Sequence, residues 1–139
     1  MDKDINVVTG EVIDAALKIH RQLGPGLLES VYEAVLAREL ERRGLKANRQ
    51  QAVIFEFEGM RFEEGLRVDL LVEDCVVVEL KSVETIAPVH AKQVLTYLRL
   101  TNLQVGPLIN FGSEILRGGL RRIVNRYSFR GNRAFSTPI

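Results

Sequence analysis

Three charged residues interrupt two apolar segments of the sequence at a spacing that suits metal binding. Glu79 and Lys81 lie in the valine-rich segment 76–81, and Asp69 interrupts the apolar segment before it. Side chains two positions apart on a β-strand leave the same face, so Glu79 and Lys81 should point together to where core residues would otherwise lie. An ion pair alone would explain these two residues.

Asp69 adds a second acid only if the two strands pair in the right register. A three-residue loop over 73–75 would pair Val72 with Val76 and set Asp69 directly opposite Glu79. A two-residue turn would instead put the two carboxylates on opposite faces, and a shared metal site would then lose its geometric basis.

Two neighbouring carboxylates repel each other and are costly to bury, so a divalent cation commonly joins them. Oxygen ligands favour Mg²⁺ or Mn²⁺. The candidate ligands are Asp69, Glu79 and the backbone carbonyl of Leu80. A cation held by these groups would polarise a phosphodiester and lower the pKa of a bound water molecule. The ammonium of Lys81 would hydrogen-bond the attacking water or stabilise negative charge in the transition state.

Length and composition are those of one ordinary domain, residues 1–139, with 46% hydrophobic and 27% charged residues. No apolar run has membrane-spanning length, and the first residues lack a signal-peptide profile, so we expect a cytoplasmic protein without membrane association. The single Cys75 suits packing. Zinc spacing, a Ser-His-Asp grouping, a phosphate-binding loop and a dinucleotide fingerprint are all missing from the sequence.

Positive charge is concentrated at the carboxyl end of the chain. The net charge is +1, but six arginines and one glutamate give residues 114–139 a charge of +5. These arginines either contact nucleic-acid phosphates or lie on a solvated terminus, and residues 128–139 are predicted to be a flexible or partner-contacting tail. The candidate phosphate contacts are Arg117, Arg121 and Arg122.

Hydrophobic periodicity predicts two helices, then strands, a third helix and a last strand. Thr9 is the predicted N-cap of a helix over about residues 10–23, which Gly24 ends, and a second helix is predicted over about 28–43. Alternation predicts a hairpin over about 53–63 and further strands. These strands lie at about 66–72, 75–81 and 105–111, with a helix from Pro88 to about residue 100 between the last two.

This order predicts an α/β fold in which helices cover both faces of one mixed sheet. The connection from strand 75–81 through a helix to strand 105–111 is a crossover that joins parallel strands.

The sequence resembles the GxxExxY protein family of the PD-(D/E)XK nuclease superfamily over about residues 8–127. The matching segments are Gly26–Tyr32, Arg67–Asp69, Val78–Lys81, Gln93–Leu98 and Leu108–Gly112. One departure is that Val68, rather than proline, precedes Asp69. The resemblance implies a restriction-endonuclease-like three-layer α/β/α sandwich and metal-dependent phosphodiester cleavage.

By this resemblance, Asp69, Glu79 and Lys81 match the catalytic triad of the superfamily. Glu29 matches its helical acid, which would reach the metal through water, and Gln93 with Tyr97 matches a Gln-x-x-x-Tyr element. Each accessory residue also has a plain structural explanation, because Glu29 suits a helix N-terminus and Gln93 and Tyr97 are ordinary neighbours one turn apart.

Three further residues are candidate substrate contacts. Tyr32 would lie at the rim of the site, although core packing explains it nearly as well. His90 and Lys92 lie in the first turns of the third helix, where phosphate contact and simple solvation are equally compatible with the sequence.

Two functions follow from these residues. The first is a divalent-metal-dependent nuclease acting on DNA or RNA, for which a homodimer is compatible with the small domain. The second is a non-catalytic nucleic-acid-binding or regulatory module in which the charged residues survive as a structural ion network. The low net charge favours the second function.

Overall fold

Helix α1 spans Ile5–Leu23 and begins before the position that the sequence predicted. The chain is described here from a computed structural model over residues 3–126. Asp4, not Thr9, is the N-cap, since its Oδ1 accepts hydrogen bonds from the backbone N–H groups of Asn6 and Val7 at 2.7 and 3.3 Å. Thr9 lies inside the helix and donates its hydroxyl to the carbonyl of Ile5. The predicted end at Gly24 is confirmed.

The other two helices lie close to their predicted bounds. Helix α2 spans Glu29–Arg42 and helix α3 spans Pro88–Thr101. Helices α1 and α2 pack in one apolar cluster with the sheet residues Leu70, Val78 and Leu80. Helix α3 packs in a second cluster with Val77 and Leu108. The sheet therefore has helices on both faces, which confirms the predicted α/β/α sandwich.

Within residues 3–126, seven strands form two sheets. The strands are β1 (Ala47–Ala52), β2 (Phe55–Phe57), β3 (Met60–Phe62), β4 (Arg67–Val72), β5 (Val76–Lys81), β6 (Val105–Asn110) and β7 (Leu120–Val124). The main sheet has the order β1-β4-β5-β6-β7, and β2 and β3 form a separate hairpin. Strands β5 and β6 are parallel, joined through α3, while the other neighbours are antiparallel. The mixed sheet and its crossover are therefore confirmed.

Two of the observed strands, β1 and β7, were not predicted from the sequence. Strand β1 has the sequence ANRQQA, in which apolar and polar residues do not alternate. It is an edge strand that backbone pairing holds to β4, so it needs no apolar pattern. Strand β7 lies in the arginine-rich segment and pairs with β6, so at least residues 120–124 are not a solvated terminus. The predicted tail at 128–139 lies outside the described residues.

Close packing brings helix α3 against the sheet at Gly106. A Cβ added to this glycine would lie 2.9 Å from the carbonyl oxygen of Val77 and 2.9 Å from Cγ1 of Val94. No larger residue fits this gap without movement, so glycine sets how near the helix lies to β5 and β6.

Asn110 fixes the start of the crossover. It is buried at the end of β6, and its side chain bonds both the N–H and the carbonyl of Val83 at 3.0 and 2.8 Å. The segment that follows Lys81 is thereby tied to the neighbouring strand. Within residues 3–126, no helix has the length and apolar character needed to cross a membrane.

Candidate active site

The turn between β4 and β5 has three residues, which is the arrangement that sequence reasoning required. Val72 pairs with Val76, and Leu70 with Val78. The N–H of Cys75 donates to the carbonyl of Val72 at 3.0 Å. Continuing the same register by one residue sets Asp69 opposite Glu79.

At this position the two carboxylates take over the hydrogen bonding between the strands. The backbone N–H of Asp69 donates to Oε1 of Glu79 at 3.1 Å, and the N–H of Leu80 donates to Oδ2 of Asp69 at 2.8 Å. Each acid is therefore fixed by the backbone of the opposite strand, and the two carboxylates converge.

Burial and mutual repulsion make this pair reluctant to ionise fully. Burial, together with the negative charge of Asp69, raises the pKa of Glu79 to about 8. Burial also raises the pKa of Asp69, although the hydrogen bond from Leu80 opposes the change. Glu79 is only 4% exposed, so little solvent screens the interaction.

Lys81 is the cation that sequence reasoning assigned to the site. It lies two residues after Glu79 at the end of β5 and is partly exposed. Its positive charge lowers the pKa of Glu79, in opposition to the stronger effects of burial and Asp69. The structure therefore brings Lys81 close enough to act electrostatically on Glu79.

Glu33 of α2 is a further acid that acts on Asp69, and the sequence pattern did not reveal it. Glu33 is 5% exposed. Its negative charge contributes to the raised pKa of Asp69. Arg49 donates to Oε2 of Glu33 at 2.9 Å, and Gln50 donates to Oε1 at 2.7 Å. Both partners come from β1, the edge strand that the sequence pattern also failed to reveal.

Glu29 lies one helical turn earlier, at the first residue of α2, and is exposed. Among the described residues, no hydrogen bond or ion pair joins it to Asp69 or Glu79, so its place fits the role of an acid at a helix N-terminus. A signal for Glu33 was present in the sequence, because it shares a helical stripe with the buried residues Ala37 and Leu40.

Gln93 and Tyr97 reach the same region from α3. The side-chain amide of Gln93 donates to the hydroxyl of Tyr97 at 3.0 Å. Burial raises the pKa of Tyr97, and the charges of Glu79 and Asp69 raise it further. Tyr97 is therefore close enough to both acids for their charges to act on its hydroxyl.

Tyr32 and His90 have structural partners. Tyr32 is fully buried, stacks on Phe111 at a centroid distance of 4.3 Å and donates its hydroxyl to the carbonyl of Gly24. It lies in the core, not at a rim open to substrate. Nδ1 of His90 accepts the N–H of Ala87 at 3.1 Å, which caps α3. Lys92 is exposed on the same helix.

The three candidate arginines lie on a short 3₁₀-helix and on strand β7. Arg117 is exposed on the short 3₁₀-helix Leu116–Gly119. Arg121 is exposed on β7 and donates to the carbonyls of Gly118 and Leu120. Arg122 donates to the side chain of Asn6 on α1 at 3.0 Å. Since adjacent strand residues alternate in direction, Arg121 and Arg122 point to opposite faces of the sheet.

The donor set of the acid pair fits a hard divalent cation. Within residues 3–126, no group of three or more His, Cys, Asp and Glu side chains is arranged around one metal position. Mg²⁺, however, is commonly held by one or two carboxylates together with water. Two converging carboxyls with raised pKa values are a pair that a cation would stabilise in the ionised form.

Comparisons with known proteins identify one family. A family model described as the PD-(D/E)XK nuclease superfamily matches residues 6–123. The matched range contains Asp69, Glu79, Lys81 and Glu33. No curated protein and no solved structure matches the chain.

Proposed function

The chain belongs to the PD-(D/E)XK nuclease superfamily, and from this membership we propose that it is a divalent-metal-dependent nuclease hydrolysing phosphodiester bonds of DNA or RNA. The observation that carries the proposal is the convergence of Asp69 and Glu79, each fixed by a backbone N–H of the opposite strand. A core strand tolerates such a pair more easily if a cation offsets its repulsion.

The ligands we assign to Mg²⁺ or Mn²⁺ are Asp69, Glu79 and the carbonyl of Leu80. The N–H of Leu80 donates to the carboxylate of Asp69, and in an extended strand the carbonyl of the same residue leaves the strand on the same side as its N–H. We assign the role of helical acid, acting through water, to Glu33 instead of Glu29, since Glu33 is the one linked to Asp69 through Gln50. When bound, the cation lowers the pKa of water and polarises the phosphodiester.

The remaining residues act on the substrate. Lys81, on the same strand as Glu79, would donate a hydrogen bond to the attacking water or to a phosphate oxygen. Tyr97 and Gln93 form a linked pair beside the acids and would hydrogen-bond a phosphate. His90, with its Nδ1 occupied by the helix cap, offers Nε2–H as a donor.

Assignment to the narrower GxxExxY family, the choice between DNA and RNA, and a homodimer remain predictions. Light scattering of the purified chain tests the last of these.

Arg121 is the arginine we retain as a phosphate contact, because in the sheet register it pairs with Leu108, which in turn pairs with Glu79. Paired residues on neighbouring strands point to the same side.

A specific observation also supports the second function, a non-catalytic binding or regulatory module. Oδ1 and Oδ2 of Asp69 and Oε1 of Glu79 accept hydrogen bonds from backbone and side-chain N–H groups of the protein itself. A network satisfied in this way can be purely structural.

Manganese titration calorimetry with matched cleavage assays separates the two functions. We expect the wild-type chain to bind Mn²⁺ at one site and to cut at least one of single-stranded, double-stranded or branched substrates. Asp69→Asn should lose both properties, with cleavage falling by at least about 100-fold. Glu63→Gln, the same kind of change at an exposed hairpin acid, is the control. A folded wild-type chain that neither binds Mn²⁺ nor cuts any substrate contradicts the nuclease.

A further inference from the structure

Gln50 has a backbone conformation that is unusual for its residue type and place. Its φ is 50°, in the left-handed region, although it lies inside strand β1 and carries a Cβ. Residues 47–49 and 51–52 all pair with β4 in one register, and Gln50 is the position left out. In that register its partner is Asp69.

The side chain of Gln50 joins two acids. Its amide Nε2 donates to Oε1 of Glu33 at 2.7 Å and to Oδ1 of Asp69 at 3.3 Å. An amide has two N–H donors, so both hydrogen bonds can form at once. The carbonyl of Gln50, displaced from regular pairing, is held by the guanidinium of Arg67 at 3.0 Å.

These contacts fix both oxygens of Asp69. Leu80 holds Oδ2 through its backbone N–H, and Gln50 holds Oδ1 through its side chain. A carboxylate held at both oxygens has its plane fixed. Gln50 is exposed overall, so burial does not account for its strained backbone.

We propose that Gln50 is a positioning residue that holds Asp69 in its metal-binding orientation and keeps Glu33 at a set distance from it. An uncharged donor suits this role on physical grounds. A lysine here would neutralise Asp69 and compete with the cation, whereas a glutamate would repel both acids. Residues that orient a metal ligand commonly change metal affinity by about 10- to 100-fold when replaced. The metal part of this proposal rests on the proposed function.

Two substitutions separate the side chain from the backbone. Gln50→Gly accepts positive φ without strain but removes the amide. Gln50→Asn keeps an amide and tolerates the left-handed region, yet it is one methylene too short to reach both acids. Gln51→Asn is the matched control at the next residue, which pairs regularly with Val68.

Manganese affinity and thermal stability are measured together on these variants. We expect Gln50→Gly and Gln50→Asn to weaken Mn²⁺ binding by about tenfold and Gln51→Asn to bind as wild type does, with thermal unfolding curves showing that each variant is folded. Wild-type affinity in Gln50→Gly would overturn the proposal. If wild type binds Mn²⁺ and Asp69→Asn does not, the proposed function survives that result.

A metal-free measurement tests the bridge independently of nuclease function. In a double-mutant cycle of Gln50→Gly with Asp69→Asn, followed by urea unfolding in chelator, we expect the two changes to be non-additive because the residues share a hydrogen bond. A second cycle with Glu33→Gln should behave in the same way. Additive effects in both cycles would refute the bridge, even if the chain binds no metal at all.

Discussion

The N–H of Leu80 and the carboxylate of Asp69 form a 2.8 Å hydrogen bond across β4 and β5. This bond stands where the regular ladder of backbone pairs, which includes Leu70 with Val78, has ended. The strand ends are thus held together through the acids themselves. Replacing either acid therefore changes both the local sheet and the charge of the site, so isosteric amides are the informative substitutions.

The raised pKa of Glu79 predicts how stability depends on pH. Its ordinary pKa is 4.5 and its value in the folded protein is about 8. The folded state therefore binds the proton more tightly, and this stabilisation is complete below pH 4.5 and is lost as the pH rises through about 8. In chelator, we expect wild type to become less stable between pH 5 and pH 8.

Glu79→Gln removes this titration and should flatten the pH dependence. At pH 8 the variant should be more stable than wild type by on the order of 2 kcal/mol, with a much smaller difference at pH 5. Urea unfolding at the two pH values measures the effect, with Glu63→Gln as the exposed control. If the free energy of unfolding changed equally with pH in wild type and in Glu79→Gln, the carboxyl of Glu79 would not be the group that is protonated in the folded state.

Mn²⁺ should reverse the loss of stability at pH 8. Metal binding requires ionised carboxylates and releases protons, so affinity should rise with pH up to about 8. At a concentration 100 times its dissociation constant, Mn²⁺ should stabilise wild type by about 2.7 kcal/mol and leave Asp69→Asn unchanged. Unfolding curves with and without Mn²⁺ test this, and equal stabilisation of both proteins would contradict a site at Asp69.

The two glutamates of α2 should differ in their effect on metal affinity. We expect Glu33→Gln to change the Mn²⁺ dissociation constant by about tenfold, because Glu33 is buried and acts electrostatically on Asp69. Glu29→Gln, one turn away and exposed, should leave it within about twofold. Calorimetry on both variants decides between them, and a larger effect at Glu29 would restore that residue as the helical acid.

Two tyrosine hydroxyls should separate function from stability. Tyr97→Phe removes a hydroxyl beside the acids, so the cleavage rate should fall by about tenfold, while the free energy of unfolding should change by less than about 1 kcal/mol. Tyr32→Phe leaves the N–H of Leu27 and the carbonyl of Gly24 without their partner. Tyr32→Phe should lower the free energy of unfolding by about 1–3 kcal/mol and leave the affinity for Mn²⁺ unaltered. The opposite pattern would place Tyr32 at the site.

Gly106 should be intolerant of even a methyl group. Gly106→Ala brings a Cβ against the carbonyl of Val77 and should destabilise the protein by about 1–3 kcal/mol. Gly10→Ala, inside α1, is the control, because a Cβ added there meets no neighbouring atom within 4 Å. This change should stabilise the protein by about 1 kcal/mol. Urea unfolding measures both, and a neutral Gly106→Ala would mean that α3 shifts easily.

The elements whose evidence is local could be predicted from the amino-acid pattern. Apolar periodicity located three helices, and the spacing between Asp69 and Glu79 placed the acids in a testable register. The three-residue turn then produced that register, since strand pairing follows directly from loop length. The resemblance to a nuclease superfamily rested on the same local segments, and the family match over residues 6–123 agrees with it.

The residues that surround the acids could not be predicted in the same way, because they come from elements far apart in the chain. Gln50 and Glu33 meet Asp69 because a polar edge strand pairs with β4 while α2 packs on the same sheet. Edge pairing uses backbone groups that every residue has, so it leaves no side-chain pattern to read. The proposed role of Glu33 in place of Glu29 likewise depends on how α2 is rotated against the sheet, and the long-range packing of the core sets that rotation.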